Sequence, residues 1–398
     1  MTNTVLFKNA NLLDPLRNEL LEGHDILVEE GVVREVSDKP LQSKTARVID
    51  VKGKTVMPGL IDLHVHVIAV ELNLSRQVHM PNVLITLRSV PMLRGMLRRG
   101  FTTVRDAGGA GFAFKQAVES GLAQGPRLFV SGRALSQTGG HGDMRARSDF
   151  LDPAATCSTC VRVGALARVV DGVDAVRRAV REELQMGADQ IKIMASGGVA
   201  SPTDPVGAFG YSEDEIRAIV EEARARGTYV MAHAYTAEAI ARAVRCGVRT
   251  IEHGNIVDAP TAALMAQLGA YAVPTLVTYD ALANEGESFG LPKESVAKVA
   301  DVREAGLRSL EIYKAAGVKM GFGSDLLGES QRLQSDEFRL RAEVLGMPDR
   351  LGRLVPGALA DILVVDGNPL RDVACLLGQG ERIPLVMKEG AIQFNELE

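Results

Sequence analysis

Short apolar segments alternate with amphipathic, helix-like segments through the middle of the chain, and this alternation restricts the fold more than any other feature. It is the βα pattern of a parallel sheet, in which each strand is followed by a helix that covers it. Eight such units favour a closed (β/α)8 TIM barrel over an open sheet. We place the barrel at residues 59–351 of an α/β protein. The predicted strands are residues 59–67, 101–107, 127–132, 188–196, 228–235, 248–255, 270–278 and 318–325.

Both ends of the chain have a different pattern, made of short strand-like segments separated by Gly, Asn, Asp and Pro. We therefore predict a small β-sandwich domain built from residues 1–58 and 352–398, with the barrel inserted between its halves. Its predicted strands are residues 5–7, 25–28, 32–36, 48–51, 360–366 and 385–388.

The composition of the 398-residue chain argues against several classes of function. A net charge of −5 and a pI near 5.9 argue against nucleic-acid binding, which needs a clustered basic face. No apolar run approaches the ~20 residues of a membrane span, and no signal-peptide pattern opens the sequence. The four cysteines are too few for a disulfide scaffold, so we expect a cytoplasmic protein unless a leader has been removed. Cys157 and Cys160 form a C-x-x-C pair in the loop after the third strand and are expected to be free thiols, with a redox pair as the alternative. Residues 159–171 are expected to form part of a substrate lid.

Four of the seven histidines stand at the ends of predicted barrel strands. His64 and His66 close the first strand, where side chains two residues apart point to the same face. They form half of a zinc site or, alternatively, a polar pair at a strand end. His233 and His253 lie near the ends of the fifth and sixth strands. Because the chemistry of such barrels sits at the carboxyl ends of the strands, we expect the four imidazoles to converge.

Asp325 and Lys192 complete the set of candidate ligands. Asp325 follows the eighth strand, where a carboxylate can bind metal and accept a proton from water, although a helix N-cap is an alternative role. Lys192 lies in an apolar strand and is predicted to point into the barrel. Because a buried, unpaired ammonium is costly, Lys192 must be paired with a carboxylate, neutral or modified.

The segment Val56–His66, with the sequence VMPGLIDLHVH, resembles the opening signature of the amidohydrolase superfamily. The split β domain, the strand-end histidines and Asp325 resemble the same superfamily over essentially the whole chain. The resemblance implies two divalent metal ions, expected to be Zn2+, bridged by Lys192 as an N6-carboxylysine whose carbamate comes from CO2. It also implies that His64, His66 and Asp325 bind the more buried ion, and that His233 and His253 bind the other.

Three further segments, residues 136–143, 192–201 and 233–235, resemble the Xaa-Pro dipeptidase (prolidase)-like subgroup, whose relatives hydrolyse N-acyl amino acids and ochratoxin A. The resemblance implies cleavage of the amide bond before the C-terminal amino acid of a small peptide or N-acyl amino acid. A metal-bridged hydroxide would attack, with Asp325 as general base and then general acid. A homo-oligomer is expected, without a nucleic-acid or membrane partner.

Two residues are expected to contact the substrate. By the same resemblance, His141 donates to the substrate carbonyl or oxyanion, unless it is a solvated loop histidine. Tyr235 would bind the substrate carboxylate, unless it is a packing tyrosine. Arg105 and Arg145 are candidate cationic partners for that carboxylate.

Alternative functions keep the same fold. A cyclic-amide hydrolase would use the same binuclear site, whereas deaminases of the superfamily lack the bridging lysine and carry a glutamate soon after the fifth-strand histidine. Glu238 follows His233 by five residues and has the pattern of a helix residue. A non-catalytic scaffold would have lost ligands, but every ligand position is filled. After Leu345 the chain is shorter than a usual βα unit with its connection, so the closure of the barrel is the expectation most open to correction.

Overall fold

The computed structural model has an α/β architecture and describes residues 4–15, 17–145, 164–199, 204–286, 293–338 and 354–397. In these residues the strands are β1 (Val5–Asp14), β2 (Glu19–Glu29), β3 (Val32–Ser37), β4 (Arg47–Asp50), β5 (Thr55–Pro58), β6 (Leu60–Val65), β7 (Phe101–Asp106), β8 (Arg127–Phe129), β9 (Ala134–Ser136), β10 (Ala167–Val169), β11 (Ile191–Met194), β12 (Val230–Thr236), β13 (Thr250–Ile256), β14 (Tyr271–Val273), β15 (Lys319–Met320), β16 (Ile362–Val365), β17 (Leu385–Lys388) and β18 (Ala391–Asn395). The helices are α1 (Leu74–Gln77), α2 (Asn82–Arg98), α3 (Phe112–Glu119), α4 (Val173–Gln185), α5 (Glu213–Ala225), α6 (Ala237–Arg245), α7 (Ala259–Gln267), α8 (Leu276–Glu285) and α9 (Lys293–Ala316), with 3-10 helices at Gly328–Leu333 and Val373–Leu376.

Strands from both ends of the chain share one eight-stranded sheet, in the order β18-β17-β16-β5-β1-β2-β3 with β4 paired to β1. The two ends meet where β5 pairs antiparallel with β16, with Thr55 opposite Val365 and Pro58 opposite Ile362. Buried apolar side chains from both ends pack together on this sheet. The sheet is consistent with the predicted terminal β domain, whose boundaries stay a prediction.

The middle of the chain forms two parallel sheets, in the orders β6-β7-β8 and β10-β9-β11-β12-β13-β14-β15. Each of the eight strands predicted for this region overlaps an observed strand. The three-residue strands β9 and β10 were not predicted, because runs this short carry almost no periodic signal.

All eight predicted strands are longer than the observed ones, and two of them show why. Residues 270–278 were predicted as one strand, but only Tyr271–Val273 is extended, and a helix begins at Leu276. Both halves are apolar and buried, and periodicity does not separate a buried strand from a buried helix. Residues 318–325 contain a strand only at Lys319–Met320, and the glycines at positions 321 and 323 follow it.

Hydrogen bonds join segments of the two parallel sheets on both sides. On one side, Leu63 N donates to Phe322 O over 2.9 Å, and Asp325 N donates to His64 O over 2.8 Å. On the other, Asp189 N donates to Val130 O over 2.7 Å. The strand that carries His64 is thus bonded directly to the segment that carries Asp325.

The helices follow local signals in the sequence. Ser212 and Glu215 form the predicted capping box of α5, and Gly227, at a φ of +71°, follows the helix end. No described helix combines the length and the apolarity that crossing a membrane requires. Cys157, Cys160 and the short segment after Leu345 lie outside the described residues. The predicted lid at residues 159–171 is described from Gly164 onward, and it includes β10.

Candidate active site

The carboxyl ends of the parallel strands surround a cavity of about 460 Å3. The six predicted metal ligands all line it: His64 and His66 at the end of β6, Lys192 on β11, His233 on β12, His253 on β13 and Asp325 after β15. His141, Tyr235 and Arg145 also line the cavity, as do residues 164–167 of the predicted lid. The fold therefore brings together side chains that the sequence separates by up to 261 residues.

His64 forms a hydrogen bond with a buried carboxylate. Its Nδ1 donates to Oε2 of Glu252 over 2.7 Å, and both side chains are almost completely buried. The opposite nitrogen, Nε2, has no hydrogen-bond partner in the described part of the chain and lies 3.3 Å from Oδ1 of Asp325. With the proton on Nδ1, a nitrogen lone pair faces a carboxylate oxygen, an arrangement that a bound cation would stabilise.

His66 presents its ring to the same carboxylate. Its Nδ1 donates to Gly108 O over 2.9 Å, and its Nε2 lies 3.2 Å from Oδ1 of Asp325. Burial lowers the pKa of His66, but the charges of Asp325 and Asp106 outweigh it and raise the pKa above its ordinary value. Burial likewise raises the pKa of Asp325, but the neighbouring imidazoles, with His64 foremost, hold it well below its usual range.

His253 and Asp325 both have left-handed backbone conformations, with φ of +71° and +53°. Such conformations cost free energy for residues other than glycine and are concentrated at functional sites. His253 Nδ1 lies 2.7 Å from Oγ1 of Thr275 and 3.8 Å from Oδ2 of Asp325. Ligand atoms of His64, His253 and Asp325 lie within 4.8 Å of one another, close enough for this cluster to hold metal.

His233 lies between the other imidazoles. Its Nε2 donates to Gly197 O over 3.1 Å, so Nδ1 is the nitrogen that remains as a metal ligand. Its ring packs edge-on to His253 at 4.6 Å between centroids and stacks on His141 at 4.2 Å. Burial lowers the pKa of both His233 and His253 well below the ordinary value, so both rings keep a lone pair near neutral pH.

Lys192 is buried, and it does not form the salt bridge to a described carboxylate that was the simplest expectation for it. In the described ranges no hydrogen bond or ion pair involves its Nζ, although the side chain is only 2% exposed. Burial lowers the pKa of Lys192 to about 8, against the opposing charges of Glu252 and Asp325. The amine is thus partly neutral near physiological pH, the state that reacts with CO2.

The two predicted substrate contacts are both ordered by neighbours. His141 is buried, and its Nδ1 lies 3.3 Å from Oδ2 of Asp204, so it is not a solvated loop histidine. The Tyr235 and Tyr279 hydroxyls are hydrogen-bonded at 2.9 Å, and the Tyr235 ring stacks on His253. Burial raises the pKa of Tyr235 well above its ordinary value, so the hydroxyl keeps its proton for donation.

One arginine candidate is wrong as a substrate contact. Arg105 is buried below the cavity, where its guanidinium donates to both carboxylate oxygens of Glu252 at 2.9 and 3.1 Å. Arg145 does line the cavity, and its Nε donates to Oδ1 of Asp143 over 2.6 Å. Glu252 itself was not identified from the sequence. A carboxylate within the apolar strand β13 does indicate that a buried partner must neutralise it.

The donor set fits divalent metal ions. Imidazole and carboxylate groups at these separations are the ligands that zinc prefers. The amidohydrolase superfamily, which the sequence resembles, typically binds divalent metals.

Comparisons with known proteins agree with this site. The amidohydrolase family model matches residues 55–339. A crystal structure of an amidohydrolase shares 72% identity at a TM-score of 0.95, covering 99% of this chain and 100% of the other. A crystal structure of a prolidase complexed with N-methylphosphonate-L-proline shares 58% identity at a TM-score of 0.95, covering 98% and 100%. The ochratoxinase of Aspergillus niger is 31% identical over 395 residues, covering 90% of this chain and 80% of its own.

These matches confirm the resemblance inferred from the sequence, including the subgroup that contains prolidases and ochratoxinase. The matched family segment includes all the candidate ligands and the strands that position them. The chain therefore belongs to the amidohydrolase family, as a hydrolase that acts on carbon–nitrogen bonds.

Proposed function

We propose that this chain is a binuclear metal hydrolase that cleaves the amide bond preceding a C-terminal amino acid. The observation that carries the proposal is the convergence of four histidines, Asp325 and a buried, unbridged Lys192 on one cavity of the described structure. The substrate class is supported by the 58% identical prolidase, whose structure contains a phosphonate derivative of proline. We also propose that the two parallel sheets form one closed (β/α)8 barrel, supported by the hydrogen bonds on both sides of β6-β7-β8.

In this proposal His64, His66 and Asp325 hold one divalent ion, and His233 and His253 hold the other. Zinc is the expected ion, because a set of imidazoles and a carboxylate suits it. When bound, such ions acidify a water molecule and polarise the substrate carbonyl. The hydrogen bonds that His64 and His66 make through Nδ1 aim their Nε2 atoms at Asp325 and fix both ring orientations.

Lys192 is proposed to bridge the two ions as a carbamate. The neutral amine adds to CO2: a nitrogen–carbon bond forms as one carbon–oxygen π bond opens, and one N–H proton is released to solvent. The product carries a negative charge where the unmodified side chain carries a positive one. This change removes the cost of a buried ammonium and provides two oxygens on a side chain that lines the cavity.

Asp325 is the proposed proton carrier. Its lowered pKa keeps it anionic at neutral pH, so it can accept a proton from the attacking water. It then delivers this proton to the amine nitrogen, which is a poor leaving group until it is protonated. His141, held by Asp204, is proposed to donate to the substrate carbonyl oxygen, and the Tyr235 hydroxyl to the substrate carboxylate.

The alternative reactions are less well supported. Glu238, the residue that a deaminase would use, lies in the first turn of α6 and is not among the side chains that line the cavity. A scaffold role gives no reason for two strained residues at the predicted metal site. Cyclic-amide hydrolysis uses the same groups, so substrate assays decide between the two hydrolases.

The deciding experiment is a panel of substrates assayed with one enzyme preparation. We expect hydrolysis of Xaa-Pro dipeptides, N-acyl amino acids or ochratoxin A, with release of the C-terminal amino acid. The matched control is each substrate with its C-terminal carboxylate converted to an amide, which should be cleaved much more slowly. Activity on a lactam, with none on any open-chain substrate, would overturn the assignment.

Metal content tests the binuclear site independently of the substrate. Protein prepared with zinc and bicarbonate should contain close to two metal ions per chain, measured by plasma emission spectrometry. Fewer than one ion per chain would contradict the proposal. The matched variant is His253→Asn, which removes one ligand of the second proposed ion and should lower the content by about one ion.

A further inference from the structure

A network of hydrogen bonds between buried, charged side chains lies next to the candidate metal site. Arg105 on β7 donates from Nη2 to both oxygens of Glu252 on β13, at 2.9 and 3.1 Å. Glu252 Oε2 accepts the Nδ1 proton of His64 on β6 over 2.7 Å. The three side chains belong to three strands, and none is more than 4% exposed.

Almost all the hydrogen-bonding groups of Arg105 and Glu252 in this network have partners. Glu252 Oε1 also accepts from the Thr250 hydroxyl over 2.6 Å, and Arg105 Nε donates to Leu63 O over 2.7 Å. Arg105 Nη1 lies 3.3 Å from both the Tyr229 and the Thr250 hydroxyls. Glu252 is thus a buried carboxylate paired with the Arg105 guanidinium.

Stability alone does not explain this arrangement. Replacing a buried ion pair by apolar residues is often neutral or stabilising, because the desolvation cost offsets most of the attraction. The contact that distinguishes this pair is the one with His64. A carboxylate on the far nitrogen of a ligating imidazole fixes the tautomer, orients the ring and raises the basicity of the ligating nitrogen.

We propose that Glu252, held by Arg105, is a positioning residue that sets the metal affinity of His64. Glu252 keeps the proton on Nδ1 and so directs the Nε2 lone pair towards Asp325, 3.3 Å away. Arg105 fixes the carboxylate with its planar, two-oxygen contact. This inference rests on the proposed metal site, and it concerns neither a metal ligand nor a substrate contact.

Glu252→Gln is the informative variant because it preserves shape and removes the anion. An amide nitrogen in place of Oε2 would face the proton of His64, and in place of Oε1 it would face Arg105 and Thr250. We expect one of the two Zn2+ dissociation constants to rise by about 10–100-fold, while the other changes by less than about threefold. Zn2+ is titrated into metal-free protein in competition with a chromophoric chelator, so activity is not the readout.

Glu183→Gln is the matched control. Glu183 is also a buried carboxylate, 3% exposed, and it lies 3.6 Å from both Arg133 and Arg168. It is not among the side chains that line the cavity. Its replacement should change thermal stability without changing either Zn2+ dissociation constant. Equal zinc weakening in the two variants would mean that Glu252 acts only through stability and would overturn the proposal.

A double-mutant cycle tests the route through His64. In the His64→Asn background, Glu252→Gln should have almost no further effect on zinc binding, because the ring that it positions is gone. Full additivity of the two effects would overturn the proposed route. If Glu252→Gln does not fold, the paired variant Arg105→Met with Glu252→Gln removes both charges together and should show the same selective loss of zinc affinity.

The outcomes separate this inference from the proposed function. If the wild-type chain binds two zinc ions and Glu252→Gln leaves both dissociation constants unchanged, only the positioning role fails. If the wild-type chain binds no zinc, the metal site and the positioning role fail together.

Discussion

Lys192 is the residue whose chemical state decides the charge of the cavity. Near pH 7 the lowered pKa of Asp325 keeps its carboxylate anionic, and the lowered pKa values of His233 and His253 keep both rings neutral. Burial lowers the pKa of the Lys192 amine itself to about 8. Two divalent ions need anionic ligands, and a carbamate would provide one at the position where the strand already directs the amine. The binuclear proposal therefore depends on this residue more than on any single histidine.

Lys192→Ala should lose metal and activity together. We expect kcat/KM to fall by more than about 100-fold, because loss of a side chain that only hydrogen-bonds to a metal ligand already costs about 10–100-fold. Acetate or propionate should restore part of the activity by occupying the position of the carbamate. Metal content and kcat/KM are measured with the acid present and again after it has been diluted about 100-fold. The control is Lys54→Ala, which removes the exposed ion pair with Asp366 and should change neither quantity. Full activity in Lys192→Ala would show that the lysine is structural.

Asp62 joins the strand of His64 to the segment of Asp325. Its Oδ1 accepts from His64 N at 2.9 Å and Ser324 N at 3.2 Å, while Oδ2 accepts from the Ser324 hydroxyl at 2.6 Å and Gln334 Nε2 at 2.8 Å. The carboxyl is fully buried, and burial raises its pKa. The left-handed backbone of Asp325 is held in part by these contacts with its neighbour.

Asp62→Asn should therefore disturb the site from a distance. An amide nitrogen at Oδ2 would meet the donor group of Gln334, and we expect a loss of about 1–3 kcal/mol in the free energy of unfolding. We also expect a lower kcat, because Asp325 loses part of its support. Urea unfolding and steady-state kinetics measure the two effects. Ser324→Ala, which removes one of the four contacts, should give a smaller change in the same direction; an unchanged kcat in Asp62→Asn would contradict the positioning role.

The candidate ligands could be predicted from the sequence because each stands at the end of a recognisable strand. His64, His66, His233 and His253 needed only the rule that the carboxyl ends of parallel strands meet. Glu252, Thr275 and Asp204 could not be assigned in this way, because their partners are 188, 22 and 63 residues away and depend on side-chain direction. Arg105 was only one of two candidates for the substrate carboxylate for the same reason, since a single sequence gives its charge but not its partner.

Secondary-structure elements were predicted well where a periodic pattern extends over several turns or residues. The helix α5 has a full capping box and an amphipathic face, so its start was placed correctly. The strands β9, β10 and β15 contain only two or three residues, and their extended backbone is imposed by neighbouring strands. Local sequence therefore identifies the long elements, while tertiary pairing creates the short ones near the site.

The capping box at the start of α5 also supports the preceding helix. Glu215 accepts from Ser212 N at 2.9 Å and, through its other oxygen, from Gly172 N at 2.7 Å at the start of α4. Because this one carboxylate serves two helix starts, Glu215→Ala should destabilise the protein more than Ser212→Ala does. We expect about 1 kcal/mol for Ser212→Ala and a larger loss for Glu215→Ala, measured by chemical denaturation. Ser120→Ala, at the end of α3, is the control; equal losses at Ser212 and Glu215 would mean that Gly172 N gains nothing from the shared carboxylate.

In the whole molecule, the terminal sheet and the parallel sheets are joined beside the first ligand strand. β5 belongs to the terminal sheet, and β6, which carries His64, begins only two residues after β5 ends. Arg127 on β8 spans the same junction. It donates to Asp361 at 2.8 and 3.2 Å, to Glu389 at 2.9 and 3.0 Å, and to the Thr103 hydroxyl at 2.7 Å.

Arg127→Met should weaken this junction without touching the cavity, since Arg127 is not among the side chains that line it. The variant leaves the carboxylate of Asp361, which is 14% exposed, without its guanidinium partner. We expect a loss of roughly 1–3 kcal/mol in the free energy of unfolding and an unchanged KM, measured by calorimetry and steady-state kinetics. Arg178→Ala, which removes an arginine that is 75% exposed and 3.7 Å from Glu182, should leave the melting temperature unchanged. If Arg127→Met melts like Arg178→Ala, the junction is held by the continuous β5–β6 backbone and by apolar packing, and the ion pairs contribute little to it.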